Sequence, residues 1–141
     1  MPAYNAEKYI GEAIESILNQ TFKDFEFIII DDCSTDKTWE IIQEYAKKDS
    51  RIRAFHNEHN LYISKARNLS IELSQCDILA IMDADDNSMP NRLEKQYNLL
   101  LNNPDIAVVG AFMEIIDELG KSILIRKYLE KDEDLDRKSV V

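Results

Sequence analysis

Phe25-Glu26-Phe27-Ile28-Ile29-Ile30 runs straight into Asp31-Asp32-Cys33-Ser34-Thr35-Asp36, and how this stretch is read decides the fold. A short apolar run rich in β-branched residues predicts a strand buried on both faces. It stops at two acids. Ser34, Thr35 and Asp36 are turn and cap residues ahead of a helical stripe of Trp39, Ile42, Tyr45 and Ala46.

The pattern extends both ways. Upstream, Ile10, Ala13, Ile14, Ile17 and Leu18 recur at helical spacing, with Asn5 as the expected cap. Downstream, residues 52–55 predict a strand, and Ala66, Leu69, Ser70 and Leu73 a third helix. Ile78-Leu79-Ala80-Ile81-Met82 reads as the cleanest strand of all, ending in Asp83-Ala84-Asp85-Asp86. Pro90 sits near the start of a fourth helix carrying Leu93, Tyr97, Leu100 and Leu101, which Asn103-Pro104 breaks. A further strand is expected at 106–109, and residues 111–116 and 122–125 flank a hairpin turn at Asp117–Lys121. Alternating strands and helices with continuous apolar strands imply an α/β fold: a mostly parallel sheet with helices on both faces and a C-terminal hairpin. Ligands of such sheets bind beyond the carboxyl ends of the strands, where both acidic clusters fall.

With 17 basic and 27 acidic residues in 141, the net charge is −10, which argues against a nucleic-acid partner. Hydrophobic residues at 45% exclude a disordered chain, and no apolar run is long enough for a membrane span. Cys33 and Cys76 form neither a disulfide framework nor a four-ligand zinc site, so a reducing, cytoplasmic setting is expected. The opening Met1-Pro2-Ala3-Tyr4-Asn5 does not read as a signal peptide. His56 and His59 read as surface residues, Cys76 as packing at the start of a strand, and Trp39 and Tyr97 as packing residues rather than a sugar platform.

Asp83, Asp85 and Asp86 crowd three carboxylates into four residues. Like charges this close repel, and a divalent cation relieves them; Mg²⁺ or Mn²⁺ takes one or two carboxylates together with phosphate oxygens. A solvated loop capping the next helix accounts for the same residues, and at this point both readings stand. Asp31 and Asp32 divide likewise between a hydrogen-bond acceptor for a base or ribose and an acid at a helix N-terminus.

The motifs in order resemble the N-terminal, nucleotide-sugar-binding part of a family 2 glycosyltransferase of GT-A fold. Pro2-Ala3-Tyr4-Asn5 with Glu7 is similar to P-x-Y-N, and Ser16-Ile17-Leu18-Asn19-Gln20-Thr21 to S-[IVL]-x-x-Q-[ST]. EFIIIDDCSTD (26–36) is similar to the strand before D-D-G-S-T-D, and NLYISKARN (60–68) to N-x-G-x-x-x-A-R-N. IMDADD (81–86) resembles the D-x-D segment, and residues 90–110 the P-x-R-x-E-K-Q … N-P-x-x-x-V-V-G stretch. The resemblance implies a Rossmann-like nucleotide-binding domain over 1–126, its first strand largely missing, and a charged tail at 127–141 leading into an acceptor-binding half. It implies that Ala3, Tyr4 and Glu7 line the pocket beside base and ribose. Asp31, with Asp32 beside it, would contact uracil, with Arg67 and Lys65 near the base or diphosphate. Asp83 would bond the ribose; Asp85, with Asp83 and Asp86, would hold Mn²⁺ or Mg²⁺ on the diphosphate. The implied partners are a nucleotide-diphosphate sugar, with UDP favoured, and a glycan or lipid-linked acceptor. The implied setting is the cytoplasm at the inner face of the membrane, with peripheral attachment and a homodimer left open. The base for inverting transfer is expected beyond residue 141, because Glu130, Asp132, Glu133, Asp134 and Asp136 match no motif. On that reading the chain binds donor without turning it over.

Two departures stand out. Cys33 and Tyr62 occupy positions where the family has Gly, so a reshaped turn is expected at the first and a narrowed or stacking loop at the second. Three rival readings fit the residues less well. A receiver-like phospho-acceptor domain lacks its lone acceptor Asp and a Lys after the 106–109 segment. A degenerate nucleotide-binding module kept as a scaffold is disfavoured by the intact Asp83 and Asp85. A nucleotidyltransferase would show a Gly-rich loop, whereas Gly11, Gly110 and Gly120 are scattered.

Overall fold

The computed structural model describes residues 1–117 and 119–127. The chain forms two compact units, Met1–Lys95 and Gln96–Val141. The first is built on a three-stranded parallel sheet in the order β1 (Pro2–Ala3), β2 (Phe27–Asp31), β3 (Ile52–His56). Every residue of β2 is buried, as its continuous apolar run predicts. Its side chains alternate between two cores. Phe27 and Ile29 join Ile10, Ala13, Ile14 and Ile17 of α1 (Ile10–Leu18) and Ile42 of α2 (Thr38–Lys48). Ile28 and Ile30 meet Ala66, Leu69 and Leu73 on the side of α3 (Tyr62–Glu72). Burying each such aliphatic side chain contributes roughly 1.5–3 kcal/mol, which is why the sheet is covered on both faces.

The helix α4 (Arg92–Asn102) leads into the second unit, where β4 (Met113–Ile116) and β5 (Ser122–Arg126) pair antiparallel. Asp117 Oδ1 accepts from the amides of Leu119 and Lys121, and Gly120 takes φ +76°, so the expected hairpin forms with its turn where the sequence places it. The charged tail, with the late acids Glu130 to Asp136, lies from residue 128 on outside the described residues.

Several local expectations are corrected. Residues 78–82 and 106–109 carry no strand; Ile78, Leu79 and Ile81 are exposed and only Met82 is buried. An apolar run becomes a strand only where a neighbour supplies a ladder. At the edge of the sheet β1 pairs through two residues, one of them a proline without an N–H. Cys76, expected at the start of that strand, is exposed. Asn5 does not cap α1; Tyr9 precedes the helix and caps nothing with its side chain.

Candidate functional site

The parallel register sets Ala3, Asp31 and His56 in one row at the carboxyl edge of the sheet. Strand alternation sends the adjacent carboxylates of Asp31 and Asp32 to opposite faces. Asp31 is fully buried. Its Oδ2 accepts from His56 Nδ1 at 2.7 Å and from the Ser34 amide at 3.3 Å. Its Oδ1 has no partner among the described residues. Asp32 does something different: its Oδ1 accepts from Asn57 Nδ2 at 2.7 Å and from the Leu61 amide at 2.9 Å, tying the β3–α3 loop to the sheet.

The loop after β1 is laced to the loop after β2. Asn5 receives the Thr35 amide on its Oδ1 at 2.8 Å and donates its own amide to Ser34 Oγ at 3.0 Å. The Ala6 amide donates to Thr38 Oγ1 at 2.7 Å, and the Glu7 amide to Asp36 Oδ2 at 3.1 Å. Glu7 Oε2 in turn accepts from the Lys37 amide at 3.0 Å, just ahead of α2. Tyr4, in the same loop, is exposed.

The acidic loop is anchored from below. Gln20, fully buried, donates to the carbonyls of Ser16 (3.0 Å) and Met89 (2.8 Å) and accepts from the Leu93 amide (3.0 Å). Thr21 adds a bond to Glu94 Oε2 at 2.8 Å, and the Ser88 amide donates to Ser16 Oγ at 3.1 Å. Arg92 reaches back to the Ile81 carbonyl at 2.7 Å and to Ser88 Oγ at 2.9 Å. Both ends of the Asp83–Asp86 turn are therefore pinned. Within it, Asp83 Oδ1 accepts from Arg67 Nη2 at 2.5 Å, while Asp85 and Asp86 are exposed. Burial, then the charges of Asp85 and Asp83, push the Asp86 carboxyl above the usual carboxylate range. Arg67 Nε likewise is buried without a partner among the described residues.

A cleft of about 380 Å³ opens between these loops, lined by Tyr4, Asn5 and Ala6, by Ile63 on α3, and by Asp83 and Asp85. Among the residues singled out from sequence, Tyr4, Asp83 and Asp85 therefore share one cavity. Ala3 is buried in β1 and Lys65 is exposed on α3. Asp31, Asp32, Glu7, Arg67 and Asp86 do not line it. Among the described residues, no group of three or more His, Cys, Asp or Glu side chains comes together as a metal cluster. The donor set that fits a divalent cation is a pair of exposed carboxylates, Asp85 and Asp86, whose mutual repulsion a cation would relieve.

Sequence reasoning missed His56. It is 39% exposed, as a surface residue would be, yet it holds the most buried carboxylate in the site. The available signal was its place one residue beyond the expected strand, level with Asp31 across a parallel pair.

The family model for glycosyl transferase family 2 matches residues 1–139. The chain belongs to this family. As a family 2 glycosyltransferase it is 47% identical over 122 residues to an uncharacterized glycosyltransferase of Methanocaldococcus jannaschii, covering 85% of the chain and 42% of that relative. It is 39% identical to the O-antigen biosynthesis glycosyltransferase WbnJ of Escherichia coli, covering 91% of the chain and 50% of WbnJ. The chain thus spans half or less of the length of these relatives. Among solved structures, S. aureus TarS 1-349 in complex with UDP-GlcNAc superposes with a TM-score of 0.68 at 30% identity, over 73% of this chain and 30% of that one. The fold of the first unit is accordingly the GT-A type expected from the motifs. Among the described residues, no helix is long and apolar enough to cross a membrane.

Proposed function

We propose that this glycosyltransferase binds a uridine-diphosphate sugar together with a divalent cation and donates the sugar to a glycan or lipid-linked acceptor. The observation that carries the reading is the cleft at the carboxyl edge of the parallel sheet, with Tyr4 on one wall and Asp83 and Asp85 on the other. The TarS structures with UDP and with UDP-GlcNAc, at 30% identity, favour the same base, and the name of WbnJ favours a glycan acceptor.

In this reading Tyr4 packs beside the nucleoside and Asp83, steadied by Arg67, accepts a ribose hydroxyl. Asp85 and Asp86 would hold the cation, which, when bound, neutralises the charge that develops on the departing diphosphate. Asp32, Gln20 and Arg92 fix the loops that carry these groups.

Thermal unfolding tests the reading. UDP with Mn²⁺ should raise Tm by more than either alone, and Asp85→Asn should remove the Mn²⁺-dependent increment while leaving ligand-free stability unchanged. A Tm indifferent to both ligands together would sink it.

A further inference from the structure

Tyr9 lines the same cleft and has no role in the reading above. It stands where the chain enters α1, its amide donating to the Ala6 carbonyl at 2.9 Å and its carbonyl accepting from the Ala13 amide at 3.1 Å. A Ser, Asp or Asn there would cap the helix, whereas Tyr9 makes no side-chain cap. Packing does not explain it either: Ile10, next in sequence, is fully buried, and Tyr9 is 41% exposed. Its hydroxyl bonds to no group among the described residues. Lys8 Nζ lies over one face of its ring, 5.0 Å from the centroid, so the opposite face and the hydroxyl are what Tyr9 can offer a ligand.

Other polar groups of the cleft are already engaged. Asn5 and Ala6 are tied to Thr35 and Thr38, and Asp83 to Arg67. In the nucleotide-binding reading Tyr4 takes the nucleoside, Asp83 the ribose, and Asp85 the cation on the diphosphate. The hexose is then the part of the donor without a partner, and Tyr9 the aromatic residue of the cleft without one. The two match in chemistry. A pyranose has an apolar C–H face that packs on an aromatic ring, and hydroxyl oxygens that accept from a phenol. We propose that Tyr9 is a specificity-determining residue that contacts the donor sugar through one ring face and its hydroxyl. This rests on the nucleotide-binding reading above and adds to it the residue that holds the transferred sugar.

Calorimetric titration of the full chain with UDP, UDP-GlcNAc and UDP-glucose as separate ligands, each with Mn²⁺, tests the idea. Tyr9→Phe keeps the ring and loses the hydroxyl. It should leave UDP affinity unchanged and weaken the tighter of the two UDP-sugars about fivefold. Tyr9→Ala, which loses the ring as well, should weaken that UDP-sugar by about tenfold or more and again spare UDP. An equal loss for UDP and for the UDP-sugar overturns the proposal, because Tyr9 then serves the nucleotide or the fold. UDP-sugar affinity unchanged in both variants overturns it too, as does wild-type protein that binds UDP and neither UDP-sugar. Wild-type protein that binds none of the three overturns the functional reading itself, and this inference with it.

Discussion

Asn5, Cys33 and Tyr62 all carry a Cβ yet sit at φ +48°, +65° and +64°. Two of them stand where the resemblance places Gly. A reshaped turn was the expectation at Cys33, but its backbone keeps the left-handed conformation that Gly would take. The surrounding bonds over-determine it: the Ser34 amide is held by Asp31, the Leu61 amide by Asp32 and the Tyr62 amide by Asn60 Oδ1 at 2.8 Å. Strain is therefore stored at both positions. Tyr62 is 77% exposed, so removing its side chain loses little packing. Tyr62→Gly should stabilise the protein by about 0.5–1 kcal/mol, the left-handed penalty less the extra freedom Gly gives the unfolded chain. Denaturant unfolding measures this; a loss of stability would mean that Tyr62 makes contacts the strain argument ignores.

At the scale of elements, the order of strands and helices was legible because apolar periodicity reports burial directly. What it could not report was pairing. Residues 78–82 have the composition of a strand and lack its ladder, since composition is local and hydrogen-bond partners are not. The converse holds for Gln20, which the sequence marks only as part of the 16–21 motif and which proves to be a fully buried bolt between α1 and the start of α4. Gln20→Ala would leave the Leu93 amide and the Met89 carbonyl without partners and should cost about 2–4 kcal/mol. It should also speed proteolysis of residues 86–91, next to the acidic loop. Unchanged unfolding and unchanged cleavage would show that the bolt carries no load.

At the scale of the whole molecule, the two units differ in how they are held. The strand β2 is buried throughout, whereas every residue of β4 and β5 is exposed. A two-stranded hairpin without a covered face is marginal by itself. Backbone amides of β4 and β5 should therefore exchange with solvent about a hundredfold or more faster than those of β2, which open only on global unfolding. Equal protection in hydrogen-exchange measurements would refute this.

From sequence alone came the two-sided parallel sheet, the hairpin with its turn, and the placing of acids at the ends of apolar runs. All three follow from side-chain chemistry repeated at short range. Only the tertiary structure decided which acid does what. Asp31 and Asp32 are neighbours in sequence, yet Asp32 ties down a loop while Asp31 has a buried oxygen with no partner among the described residues. His56 enters the site because a parallel register sets it beside Asp31, 25 residues away in sequence. Roles of that kind depend on which donors arrive from distant strands and loops, and a carboxylate's own position in the chain carries no record of them.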